Sequence, residues 1–141
     1  MGKQNVLTTL GRFSEIKRLC QFVTAGAAQA GLSKKEIFHI ELACDEACTN
    51  IIEHAYGGED KGSIRVMWTA KDDKFIVSIH DNGRAFQPEK VTTPEKPDPD
   101  RVEKMKIGGL GIHFMRQLMD KVIYEFNSDG NTLTMIKLIK R

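Results

Sequence analysis

Asp45-Glu46-Ala47-Cys48-Thr49-Asn50-Ile51-Ile52-Glu53-His54-Ala55-Tyr56 is the stretch on which the reading of the fold turns. It continues a run in which Ile37, Ile40, Cys44, Ala47 or Cys48, and Ile51 recur at helical period, so it belongs to an amphipathic helix. Ser33 and Glu36 open that helix with capping-box spacing, each side chain able to satisfy an orphan amide of the first turn. Gly57-Gly58 ends it near Tyr56. Glu46 and Asn50 stand at i and i+4 on one strip of the polar side, which also carries Asp45, Thr49 and Glu53. By spacing alone this strip reads as a solvated helix face. It also suits a chemical site. The neutral amide oxygen of Asn50 is a hard ligand of the kind Mg²⁺ accepts, since that ion keeps several waters and takes other oxygens from phosphates. Glu46, one turn away, can accept a proton from an attacking hydroxyl.

Working outward from this helix, a first helix is expected over Ser14 to Ala30. Ser14 would be its N-cap, Ile16, Leu19, Cys20 and Val23 its apolar stripe, and Gly31 its end. A short strand at Val6 to Leu10 can pair at a sheet edge. On the other side, Ile64, Val66 and Trp68, then Phe75, Val77 and Ile79, alternate with polar residues as two strands joined at Lys71-Asp72-Asp73-Lys74. The alternation stops after Asp81-Asn82-Gly83. Gln87 to Lys106 is polar, has no clear period and contains all four prolines, which suggests a lid of about residues 87–107. Gly108-Gly109-Leu110-Gly111 then opens a third helix, with Ile112, Met115, Leu118 and Met119 on one face. Val122 to Phe126 and Thr132 to Ile139 make a final hairpin around Ser128-Asp129-Gly130-Asn131. Hairpins with helices gathered between them indicate an α+β fold: a two-layer sandwich with helices on one face of a mixed, mostly antiparallel sheet.

Bulk properties narrow the classes. A chain of 141 residues fits one domain with a proper core, here residues 1–141. Its 21 basic and 19 acidic residues leave a net charge of +2, a balance that gives no reason to invoke a nucleic-acid footprint, which usually needs a clustered basic face. No apolar run approaches the ~20 residues needed to span a bilayer, and the N-terminus lacks a signal-peptide stretch, so a cytoplasmic location is expected. Cys20, Cys44 and Cys48 are expected to be reduced. With His39 nearby, Cys44 and Cys48 raise the thought of a metal site, but their place on the apolar helix face reads better as core.

Two further elements carry chemistry. Asp81-Asn82-Gly83 could be a type I′ turn, but Arg84-Ala85-Phe86-Gln87-Pro88 does not resume a strand. A carboxylate at a strand end can accept from an exocyclic amine such as that of adenine, and a nearby glycine permits close approach. The glycines at 108–111 read as an ordinary helix start or as an anion site, where free amides and the helix dipole face a phosphate. The nucleotide motifs GxxxxGK[ST] and strand-linked GxGxxG are absent.

The order of these elements is more telling than any one of them. Glu46 to Asn50, then Asp81-Asn82-Gly83-Arg84-Ala85-Phe86, then Gly109-Leu110-Gly111 resemble the N, G1 and G2 boxes of GHKL ATPases. The wording of residues 45–56, of Gly109-Leu110-Gly111-Ile112, of Met119-Asp120 and of Asn131-Thr132-Leu133 is similar to the stand-alone anti-sigma-factor serine kinases, over nearly the whole chain. The resemblance implies a Bergerat fold with ATP between the helices and the lid, and Mg²⁺ bridging it to Asn50. It implies Glu46 as catalytic base and Asp81 as the reader of adenine. Glu53, His54, Gly83, Phe86, Lys104, Lys106, Gly108, Gly109, Leu110 and Gly111 would complete the nucleotide site. It further implies a STAS-type anti-sigma-factor antagonist as substrate, a sigma factor as another partner, and a homodimer, with neither nucleic acid nor membrane bound directly. Family kinases often carry an arginine just ahead of the Gly-rich turn. Here Ile107 and Gly108 stand there, and the nearest cations are Arg101, Lys104 and Lys106. Lysine neutralises phosphate without arginine's bidentate fork. A nucleotide-dependent switch without kinase activity, and the catalytic domain of a histidine kinase, are the alternative readings.

Overall fold

Side chains alternate along a strand, so Ile64 and Val66, Phe75, Val77 and Ile79, and Leu133 and Met135 all turn to one side of a sheet, where each is buried. The computed structural model of the protein describes residues 5–85 and 111–139. Within them the chain forms β1 (Asn5–Leu10), α1 (Phe13–Gln29), α2 (Lys34–Asn50), a π-helical turn (Ile51–Ala55), β2 (Ser63–Lys71), β3 (Lys74–Asp81), α3 (Gly111–Leu118), β4 (Lys121–Asn127) and β5 (Gly130–Leu138). The strands lie in the order β1-β2-β3-β5-β4, and every pairing is antiparallel. The expected mixed sheet is therefore antiparallel throughout the described residues. The helices pack on one face, with Ile16, Leu19 and Val23 of α1 and Ile40, Ala43, Cys44, Ala47 and Cys48 of α2 joining the sheet residues in one core. The α+β two-layer sandwich stands. No described helix is long and apolar enough to cross a membrane.

Local signals decide most boundaries. Ser33 forms the capping box: its hydroxyl accepts from the Glu36 amide at 3.2 Å and its own amide donates to the Glu36 carboxylate at 2.9 Å. Asp72 and Asp73 both adopt left-handed φ, 53° and 61°, as a two-residue hairpin needs. One expectation fails. α1 begins at Phe13, and Ser14 is not its cap. The Phe13 amide instead donates to the Glu59 carboxylate at 2.8 Å, and Arg12 pairs with Asp60. The capping acid comes from a loop distant in sequence, where the helix dipole favours it, so no local pattern could announce it. The second helix likewise does not run uniformly to Tyr56, but changes to a π turn after Asn50.

Candidate functional site

α2 buries one flank against the sheet and ends with Asn50, which is only 2% exposed. That excludes a solvated-face reading for Asn50. Its Oδ1 is buried without a hydrogen-bond partner among the described residues, and so is Oε2 of Glu46, one turn earlier. Native structures seldom leave buried oxygens unpaired, because each costs about 1–3 kcal/mol. Here two such oxygens stand on adjoining turns of one helix strip. Burial pushes the Glu46 acid up to about 7, helped by the like charges of Asp45 and Glu53. Burial also raises the Glu53 acid.

The π turn that follows, closed by the Tyr56 amide donating to the Ile51 carbonyl at 2.9 Å, carries Glu53 and His54 half-buried. Single π turns recur inside helices at functional sites. Its carbonyls are met by the segment after β3. The Arg84 amide donates to Ala55 O at 3.0 Å, and the Arg84 guanidinium Nε donates to His54 O at 2.9 Å. The Tyr56 hydroxyl donates to the Ser63 carbonyl and accepts from the Asn82 amide at 3.0 Å. Gly83 lies so close that a Cβ there would sit 2.6 Å from Ala55 O. The Asp81-Asn82-Gly83 segment is thus strapped onto the end of α2 and is not a hairpin turn.

Asp81 is 2% exposed. Its Oδ1 accepts from the Gly83 amide at 2.8 Å, closing an Asx turn, and from the Asn131 side-chain amide at 2.9 Å. Burial raises its acid, opposed by those two donors and by His80. Burial raises the Tyr124 phenol of β4, with the Asp81 charge adding to it and Arg116 opposing. Gly111 is the first residue of α3. Phe86, Lys104, Lys106, Gly108, Gly109, Leu110 and the 87–107 lid lie outside the described residues.

Burial raises the thiols of Cys20, Cys44 and Cys48. All three are core residues, and no cluster of three metal-binding side chains exists among the described residues. The sequence reading missed the structural parts played by Arg84, Tyr56 and Asn131. Arg84 and Asn131 flank recognisable glycine turns, which is the one local hint they offered.

The two-layer sandwich, with its helices on one face of an antiparallel sheet, is the fold of the histidine kinase-like ATPase domain. The chain matches the family described as the histidine kinase-like ATPase domain over residues 12–137. It is 38% identical over 117 residues to the serine-protein kinase RsbW of Listeria monocytogenes, covering 80% of this chain and 73% of that one. It is 34% identical over 116 residues to RsbW of Bacillus velezensis, with 80% and 71% covered. Among solved structures it resembles the crystal structure of the RsbU and RsbW domains of a Mycobacterium tuberculosis protein, at TM-score 0.70 and 18% identity, over 99% of this chain and a third, 33%, of that chain. It also shares its fold with the catalytic domain of the histidine kinase ThkA, at TM-score 0.55 and 15% identity, with 95% and 97% covered. The chain belongs to the histidine kinase-like ATPase family and, within it, to the RsbW serine-protein kinases, a family that uses ATP.

Proposed function

We propose that the chain, acting as one domain over residues 1–141, binds Mg-ATP beside α2 and the Asp81–Arg84 segment. It transfers the γ-phosphate to a serine of a STAS-type anti-sigma-factor antagonist and in another state holds a sigma factor. The observation that carries the reading is the pair of buried oxygens, Glu46 Oε2 and Asn50 Oδ1, that find no partner among the described residues. A hard amide oxygen without a partner fits Mg²⁺, and Asn50 would hold that ion, which supplies charge neutralisation to the phosphates when bound. Glu46, its acid near neutrality, takes the proton of the serine hydroxyl. Asp81 accepts from the adenine amine, Gly83 lets the base approach, and Glu53, His54 and Phe86 line the nucleotide. Lys104, Lys106 and the amides of residues 108–111 meet the phosphates, with residues 87–107 as lid.

The sheet face turned away from the helices carries Val6, Met67, Ile76, Ile136 and Ile123 on adjoining strands. Val6 is 48% exposed, and this apolar face suits a homodimer. Sedimentation showing a monomer at micromolar concentration would remove that part of the reading. A cytoplasmic setting goes with ATP use and with three free thiols.

The test is transfer itself. Incubation with Mg-ATP and an antagonist from the same organism, followed by phosphopeptide mapping, should give one phosphoserine. Nucleotide binding with no phosphoserine would instead leave a protein-binding switch, the outcome that Ile107-Gly108 in place of a lid arginine favours.

A further inference from the structure

Asn131 stands directly opposite Asp81 in the β3–β5 ladder and is 3% exposed. Its side-chain nitrogen lies 2.9 Å from Asp81 Oδ1, 2.9 Å from the Arg84 carbonyl oxygen and 3.4 Å from that of Gly83. All three neighbours are acceptors, so the atom that meets them is the nitrogen and not the oxygen of the amide. This close approach depends on the preceding residue. Gly130 adopts φ +128°, and a Cβ there would lie 2.2 Å from the Asp81 carbonyl oxygen. β5 is therefore delivered against the end of β3 so that one buried amide ties together the carboxylate and the backbone of the segment after it.

We propose that Asn131 is a positioning residue that sets nucleobase choice. By giving its hydrogens to Asp81 Oδ1 and the Arg84 carbonyl, it fixes which carboxylate oxygen is left for the ligand and keeps that oxygen an acceptor. The site then takes a base that presents an exocyclic amine. This rests on the reading of Asp81 as the residue that meets the base. An ionised carboxylate only accepts, whereas a neutral acid can donate to a carbonyl and would welcome the wrong base. Burial presses Asp81 toward the neutral form, and the donors on Oδ1, Gly83 N–H and Asn131, press it back. The other titratable groups around it are His80 beside it on β3, Tyr56 from the helix end and Tyr124 from β4. The Arg84 bond does a second job, since it keeps the segment on the α2 end from swinging Asp81 away.

The experiment compares ATP with inosine triphosphate, which carries a carbonyl where adenine carries its amine. Binding of both, with Mg²⁺, is titrated to wild type, Asn131→Ala and Asn131→Asp, with circular dichroism to confirm folding. Wild type should prefer ATP by about tenfold or more. Asn131→Ala should bring the ratio toward unity while the affinity for inosine triphosphate is kept or rises. Asn131→Asp has nearly the same size, so it serves even if the alanine variant fails to fold. It sets two carboxylates face to face, forces them to share a proton, and should abolish the preference as well. Equal weakening of both nucleotides with an unchanged ratio would mean that Asn131 only packs, and would overturn the proposal. A wild type without preference would overturn the underlying reading of Asp81 instead.

Discussion

Replacing Asn50 by leucine should make the protein more stable alone and less stable with its ligand. Asn50 Oδ1 is buried and has no partner among the described residues, in a residue only 2% exposed. Such an acceptor costs about 1–3 kcal/mol relative to one that is paired or absent. Leucine has the same γ-branched shape and heavy-atom count as asparagine and no polar atom, but its methyl groups are bulkier, and the position it would fill is buried. Part of the recovered free energy is lost to imperfect fit, so a net gain of about 1 kcal/mol is expected, or roughly 3 °C in melting temperature for a chain of this size. Ligand linkage then acts on wild type alone. A ligand present at a hundred times its dissociation constant stabilises by about 2.7 kcal/mol, and the variant, with no oxygen to offer the metal, should lose most of that. Scanning calorimetry with and without Mg-ATP, at one protein concentration, should show the order of melting temperatures reverse. A variant that Mg-ATP stabilises as much as wild type would remove Asn50 from the metal site. A variant less stable than wild type without ligand would refute the argument from the orphaned oxygen.

Other outcomes follow from the same geometry. Glu46→Gln keeps shape but accepts no proton, so phosphoryl transfer should fall by ~10²–10⁴ while nucleotide affinity persists; equal loss of both would assign Glu46 a structural role. Because the Glu46 acid is raised from 4.5 to about 7, the wild-type rate should climb with pH and level off above about 7. The same raised value means the folded state holds the proton more tightly, so the contribution to stability is full below 4.5 and is lost as pH rises through about 7. Glu46→Gln should flatten that slope in denaturant titrations. Gly83→Ala would place a Cβ 2.6 Å from the Ala55 carbonyl, a backbone atom that cannot yield, so the segment should shift and cost about 1–3 kcal/mol together with ATP affinity. Wild-type stability and affinity in that variant would contradict the close approach. Hydrogen exchange over residues 87–107 should slow more with a non-hydrolysable ATP analogue than with ADP, and equal protection would show that this segment does not read the γ-phosphate.

The elements that the sequence announced are those whose signals are local. The 3.6-residue recurrence through Ile40, Cys44, Ala47 and Ile51 fixes α2. Ser33 with Glu36 fixes its start, the alternation in β2 and β3 fixes a strand pair, and the order of Glu46–Asn50, Asp81–Gly83 and Gly109–Gly111 identifies the family. Periodicity also separates the polar strip from the apolar one, but it cannot say which polar residues are buried. Tertiary packing decides that, sinking Asn50 and Asp81 while leaving Asp45 exposed. The cap of α1 from Glu59, the strap of Arg84 on the π turn and the clamp of Asn131 on Asp81 join residues 46, 30 and 50 positions apart. No local rule reaches across such gaps, because those bonds exist only once the sheet has set Asn131 opposite Asp81 and the close approach at Gly83 has brought the strand end onto the helix. The sequence by itself thus determined which side chains could do the chemistry, and the tertiary structure decided which of their atoms are buried and which are tied to one another.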